Sequence, residues 1–147
     1  MYDERIDSVL LAKYIIKQAQ IKKIPEMCIT KLQKLLYALD GGLLARNINA
    51  VDEHCRAWQY GPVYPKVFTK INPEDFNKNY DNLNIDEIDS KEHADIIKKM
   101  VEVVLDNFGQ YSAGKLSAWS HRDGSPWSQT PKNEKISKVL MKEYFSR

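Results

Sequence analysis

The sequence predicts a mainly α fold, a single compact helical domain of about six to seven helices. A short extended or β segment stands before a Gly-Pro turn. Three observations carry this. Apolar residues recur at three- and four-residue steps over most of the chain. Extended patterning is confined to the stretch before Gly61-Pro62. The length of 147 residues, 43% of them hydrophobic and 29% charged, suits one core and no second.

Val9, Ala12, Ile16 and Ala19 form the first apolar stripe, with Lys13 and Lys17 between them. They predict an amphipathic helix from Asp7 to Lys22, with Asp7 as its N-cap and Pro25 barring continuation. Ile29, Leu32, Leu35, Leu36, Leu39 and Leu43 make a broader stripe, hence a core helix capped by Thr30 and ending near Arg46. Gly41-Gly42 either kinks it or lets another element approach closely. The helical pattern fails from Asp52 to Gln59, where an extended segment is expected, and a short helix follows from Tyr64 to Ile71.

Asn72 to Ser90, rich in Asn, Asp and isolated apolar residues, reads as an acidic loop with a small strand or turn. Ile97, Val101, Val104, Leu105 and Phe108 carry a helix from Lys91 to Phe108, stopped by Gly109. Ser112 caps a helix through Ser120, and Asp123-Gly124-Ser125-Pro126 is turn chemistry. Asn133 is the expected cap of a final helix buried through Ile136, Val139, Leu140 and Tyr144.

Trp58-Gln59-Tyr60-Gly61-Pro62-Val63-Tyr64-Pro65 is the most specific stretch. Gly61 can adopt backbone angles closed to other residues, while Pro62 and Pro65 fix φ and keep Gly61 and Tyr64 out of the helical region. Such a rigid turn presents or buttresses something.

Composition excludes several classes. No apolar run approaches the ~20 residues of a membrane span, and the acidic opening Asp3, Glu4, Asp7 is unlike a signal peptide. Cys28 and Cys55 are too isolated for a disulfide framework, which makes reduced thiols in the cytoplasm the expectation. The net charge of +2 hides an acidic segment, Asn72 to Asp95, with eight acids against Lys78 and Lys91. The remaining lysines are scattered among acids, not clustered as nucleic-acid binding requires.

No constellation points to catalysis. His121-Arg122-Asp123 lacks the asparagine and glycine-rich loop of a kinase. Ser120, His121 and Asp123 are sequence neighbours that splay apart, so they cannot form a triad line. Cys28, His54, Cys55, His93 and His121 show no metal-binding spacing, and Asp52-Glu53 and Asp86-Glu87 read as solvated loop charges. No cofactor and no metal are expected. His121, close to a Pro126-Trp127 turn, reads as a residue that anchors the turn, with partner contact as the alternative. Trp58, Trp119 and Trp127 serve either as core, burying ~200 Å² each, or as binding hot spots.

Three ordered blocks carry a family resemblance. Ile29-Thr30-Lys31-Leu32-Gln33-Lys34-Leu35-Leu36-Tyr37, Ala57-Trp58-Gln59-Tyr60-Gly61-Pro62-Val63-Tyr64-Pro65, and Leu116-Ser117-Ala118-Trp119-Ser120-His121 with Ser125-Pro126-Trp127 resemble the motifs of the Panacea domain. This is the family of SocA-like antitoxins and GepA-like phage-associated proteins. The resemblance implies one such domain over residues 1–147, non-enzymatic, that binds and neutralises a cognate protein toxin encoded nearby. For some members it also implies a protease-adaptor role. The motif positions it carries over as partner-binding or scaffold residues are Lys31, Tyr37, Trp58, Tyr60, Gly61, Pro62, Pro65, His121, Pro126 and Trp127, with Leu32 and Leu35 beside them. Some members attach a DNA-binding domain, for which this chain leaves no room. The acidic segment is a separate candidate for meeting a basic partner. The alternative reading is a phage- or prophage-associated protein that binds a host protein or nucleic acid.

Overall fold

Helix α2, Ile29–Ala45, is the axis of the molecule: every residue from Lys31 to Gly41 is buried. A helix enclosed on all sides needs neighbours on all sides, and the rest of the chain supplies them. In the computed structural model, which describes residues 1–147, the axis is preceded by strand β1, Tyr2–Ile6, and helix α1, Ser8–Ile21. It is followed by strands β2, Ile48–Val51, β3, Arg56–Trp58, and β4, Gly61–Val63, then helix α3, Pro65–Lys70. A 3-10 turn at Pro73–Asn77 leads to the short helix α4, Asp86–Asp89, and to helices α5, Ala94–Phe108, α6, Ala113–Ser120, and α7, Lys138–Phe145. Helices α1, α5, α6 and α7 all pack on α2, as do β2 and β4. No helix is long and apolar enough to cross a membrane.

The mainly α architecture with seven helices agrees with the periodicity. Asp7 caps α1 by accepting from the Val9 N–H at 3.1 Å, and Ser112 caps α6 by accepting from Lys115 N–H. Gly41 serves close approach: a Cβ there would lie 2.2 Å from the Phe145 ring, so α7 seats an aromatic directly on the α2 backbone.

Several elements differ from expectation. Tyr2–Ile6 is a strand, paired parallel to β2 with Tyr2 opposite Ile48 and Ile6 opposite Val51. Cys28, not Thr30, is the N-cap of α2, and it makes no side-chain capping bond. The expected extended stretch begins later, at Arg56, and is one arm of an antiparallel hairpin in which Trp58 faces Gly61 across the Gln59-Tyr60 tip. The acidic loop holds a 3-10 turn closed by a reciprocal Asn72–Asp75 capping box, as well as α4.

The final helix is capped by Ser137 rather than Asn133. Asn133 instead takes a left-handed φ of 69° and pairs with β3: its N–H donates to the Ala57 carbonyl at 2.8 Å. The N–H of Ile136 continues that edge onto Cys55 O, also at 2.8 Å. Backbone pairing therefore displaces the helix start past Ile136. The buried α7 positions become Met141 and, in part, Phe145, while Val139 is exposed.

A candidate interaction groove

The polar residues of α2 explain the rigid turn. Gln33 grips Tyr64 with both ends of its amide: Tyr64 N–H donates to Oε1 at 2.7 Å and Nε2 donates to Tyr64 O at 3.2 Å. Lys34 Nζ donates to the Pro62 carbonyl at 3.3 Å. Tyr64 OH donates to Asp40 Oδ2 at 2.7 Å, about two turns further along the same helix. A buried amide and a buried ammonium thus satisfy backbone groups that the prolines withdraw from sheet pairing. Gly61 sits at φ 115°, and a Cβ built on it would fall 2.5 Å from both Lys34 Cε and Ser120 Oγ. Only glycine lets the turn lie this close to α2 and α6.

A second brace comes from the segment after α6. Trp127 Nε1 donates to Trp58 O at 2.7 Å, and the His121 ring stacks on Trp127 with centroids 3.9 Å apart. Ser125 Oγ donates to Ser120 O, folding the Pro126-Trp127 turn back on α6. Ser120 Oγ in turn donates to Ser117 O and makes no bond to His121, and Asp123 is exposed, so these three form no catalytic line.

Burial sets the electrostatics. Lys34 has no carboxylate partner, and burial pulls its pKa down to about 8. The same burial, with Lys34 nearby, lowers His121 below the ordinary histidine value. Asp40 is enclosed and pushed up to about 6, with Lys138 Nζ 4.0 Å away and the Tyr64 hydroxyl both acting against that rise. Burial also raises Tyr37, whose hydroxyl has no hydrogen-bond partner.

The turn's outer face stays open. Tyr60 at the hairpin tip is 65% exposed and Phe68 on α3 is 52% exposed, with Trp58 edge-on to Phe68 at 5.3 Å. Beside them runs a groove of about 420 Å³ between the first turn of α2 and the hairpin. Ile29 and Phe68 also line a neighbouring hollow of about 470 Å³ that reaches Phe76. Trp58, Gln59 and Lys132 also line a third, of about 340 Å³, that reaches Trp127. Three hollows thus lie side by side, with aromatic residues as their shared walls. Concavity with apolar lining and a few polar groups is the form of a binding site.

The structure divides the expected site residues. Trp58, Tyr60, Gly61 and Pro62 lie together on the hairpin, and Pro65 opens α3 beside them. His121, Pro126 and Trp127 stand behind the hairpin as its brace. Lys31 is elsewhere, wholly buried with Nζ donating to Pro25 O at 2.7 Å. Tyr37 is further still, edge-on to Trp119 and Phe145 in an aromatic cluster beneath α7. Phe68, Lys132 and Lys34 were not picked out from sequence. Phe68 and Lys132 are ordinary residues locally and acquire a role only where the fold juxtaposes them. Asp52 and Glu53 are not free loop charges: Ser8 N–H donates to Asp52 and Lys66 N–H to Glu53, which ties α1 to α3.

The model of the family described as "Antitoxin SocA-like, Panacea domain" matches residues 32–128. The chain belongs to that family. Its Panacea match starts within α2 and ends just past Trp127, so it encloses the hairpin, the buried anchors of the turn and the His121–Trp127 brace. Among curated proteins the chain is similar to Antitoxin SocA of Caulobacter vibrioides, 29% identical over 132 residues, which cover 84% of this chain and 70% of that protein. No solved structure matches it.

Proposed function

We propose that this Panacea protein is an antitoxin that binds a cognate protein toxin, encoded adjacently, and masks it without catalysis. Family membership and the likeness to Antitoxin SocA support the class of function. The observation that carries the mechanism is an aromatic wall of exposed Tyr60 and Phe68 and half-buried Trp58, mounted on a backbone locked from behind by Gln33, Lys34 and Trp127. Exposed aromatics on a rigid support lose little entropy on docking, which is what a tight interface needs. A protease-adaptor role is the further form of this proposal, in which the bound toxin is handed on for degradation.

The test is coexpression with the product of the adjacent reading frame, reading growth rescue and co-purification. Rescue with a stable complex, weakened by Tyr60→Ala, is the expected result. A harmless neighbour with no complex would overturn the antitoxin reading. The toxin's half-life separates masking from delivery: unchanged or lengthened under masking, shortened in a protease-dependent way under delivery.

A further inference from the structure

The groove is asymmetric in charge. Lys34 and Lys132 line its central part, and no carboxylate does. Neither of the adjoining hollows has an acidic lining residue. Lys34's ammonium has one long acceptor, the Pro62 carbonyl at 3.3 Å, and no ion pair. The first turn of α2 adds to this. Cys28 offers no side-chain cap, and the N–H groups of Ile29, Thr30 and Lys31 find no acceptor in the chain. A positive helix end and an exposed lysine thus border the aromatic groove, with the enclosed Lys34 charge beneath the hairpin adding to the positive potential. Three neighbouring hollows that share walls offer successive seats for the side chains of an extended segment, which a broad flat face would not fill.

We propose that this groove receives a linear segment of the toxin, held by apolar side chains against Trp58, Tyr60 and Phe68 and by a carboxylate directed to Lys132 and the first turn of α2. This rests on the antitoxin reading, and it adds the chemistry of the contact. A segment so recognised carries two or three aliphatic or aromatic anchors and at least one Asp or Glu, and it binds as a short peptide cut from its parent.

The experiment is a selection of a displayed random 12-residue peptide library on the intact chain, followed by anisotropy titration of the enriched peptides. The expected outcome is enrichment of peptides with a carboxylate beside apolar anchors. Replacing that carboxylate by its amide weakens binding by about tenfold or more, because hydrogen bonds to charged groups are the strong ones. Tyr60→Ala and Lys132→Glu, both at exposed positions, should each weaken binding while leaving the unfolding midpoint unchanged. Absence of enrichment, enriched peptides that are basic or uncharged, or binding indifferent to both substitutions would overturn the proposal. So would concentration-dependent dimerisation abolished by Tyr60→Ala, which would give the groove to a second copy. Because the selection uses no toxin, it can fail while growth rescue holds, and rescue can fail while the peptides bind.

Discussion

Lys34 is the residue at which burial and charge compete. Burial holds its folded pKa near 8, well under the ordinary lysine value of 10.5. Below pH 8 both folded and unfolded chains carry the proton, and the folded state bears the full burden of the enclosed charge, about 3 kcal/mol from the shift. Between pH 8 and 10.5 the folded protein sheds a proton that the unfolded chain keeps, so this residue's contribution to stability rises with pH. Lys34→Met keeps the stem and removes the charge. It should be about 1–2 kcal/mol more stable than the parent at pH 7, after loss of the Pro62 bond. The gap should close by pH 10, as read by denaturant unfolding at both pH values. A gap independent of pH would show that the ammonium is not the source. Gly61→Ala tests the turn itself. Both its φ of 115° and its 2.5 Å contacts oppose a methyl group, so a loss of about 2–3 kcal/mol is expected from urea unfolding.

Among the elements, α7 shows how close approach is achieved. Alanine at a helix interior ordinarily gains about 1 kcal/mol over glycine. Gly41→Ala should nevertheless destabilise, since its Cβ would sit 2.2 Å from the Phe145 ring. Phe145→Leu should relieve part of that loss, and a double-mutant cycle on thermal unfolding should return a coupling above about 0.5 kcal/mol. The elements differ in how far sequence betrays them. α1, α5 and α6 were legible because one apolar stripe and one cap specify each. β1 was hidden because one of its two inward residues is Glu4, held by the backbone N–H and ring of His93, which leaves Ile6 as the single buried apolar position and no alternating apolar pattern. Its parallel partner β2 lies beyond two helices, and no local signal announces such a pairing. The start of α7 was misplaced because Asn133 and Ile136 are recruited by the edge of β3, which a reading of periodicity cannot foresee.

For the whole molecule, one helix packs against all the longer helices and two of the strands, and that predicts cooperativity. Trp119 and Trp127 pack against the core from α6 and the segment after it, and Trp58 lies on the hairpin. Their fluorescence should report the same event as far-UV circular dichroism, with coincident midpoints and a single transition. A fluorescence transition preceding the loss of helix would show that the hairpin and groove unfold as a separate unit. The rigid Gly-Pro turn beside the groove was legible in sequence, since Gly61, Pro62 and Pro65 restrict the backbone locally. The groove was not, because its walls come from the first turn of α2, the hairpin, α3 and the stretch around Lys132, distant segments brought together only by folding.

The position of α2 also governs the order in which the protein can be made. This helix leaves the ribosome early, yet α5, α6 and α7, three of its coverings, are encoded much later, and Phe145 closes over Gly41 only after the chain between them has been synthesised. Contacts so distant in sequence form slowly. Throughout that interval an apolar helix with two uncompensated lysines lies open to whatever binds nascent chains. The complete groove therefore arrives late, as the last part of this fold is translated, and the pace of translation becomes a determinant of how soon the binding surface exists.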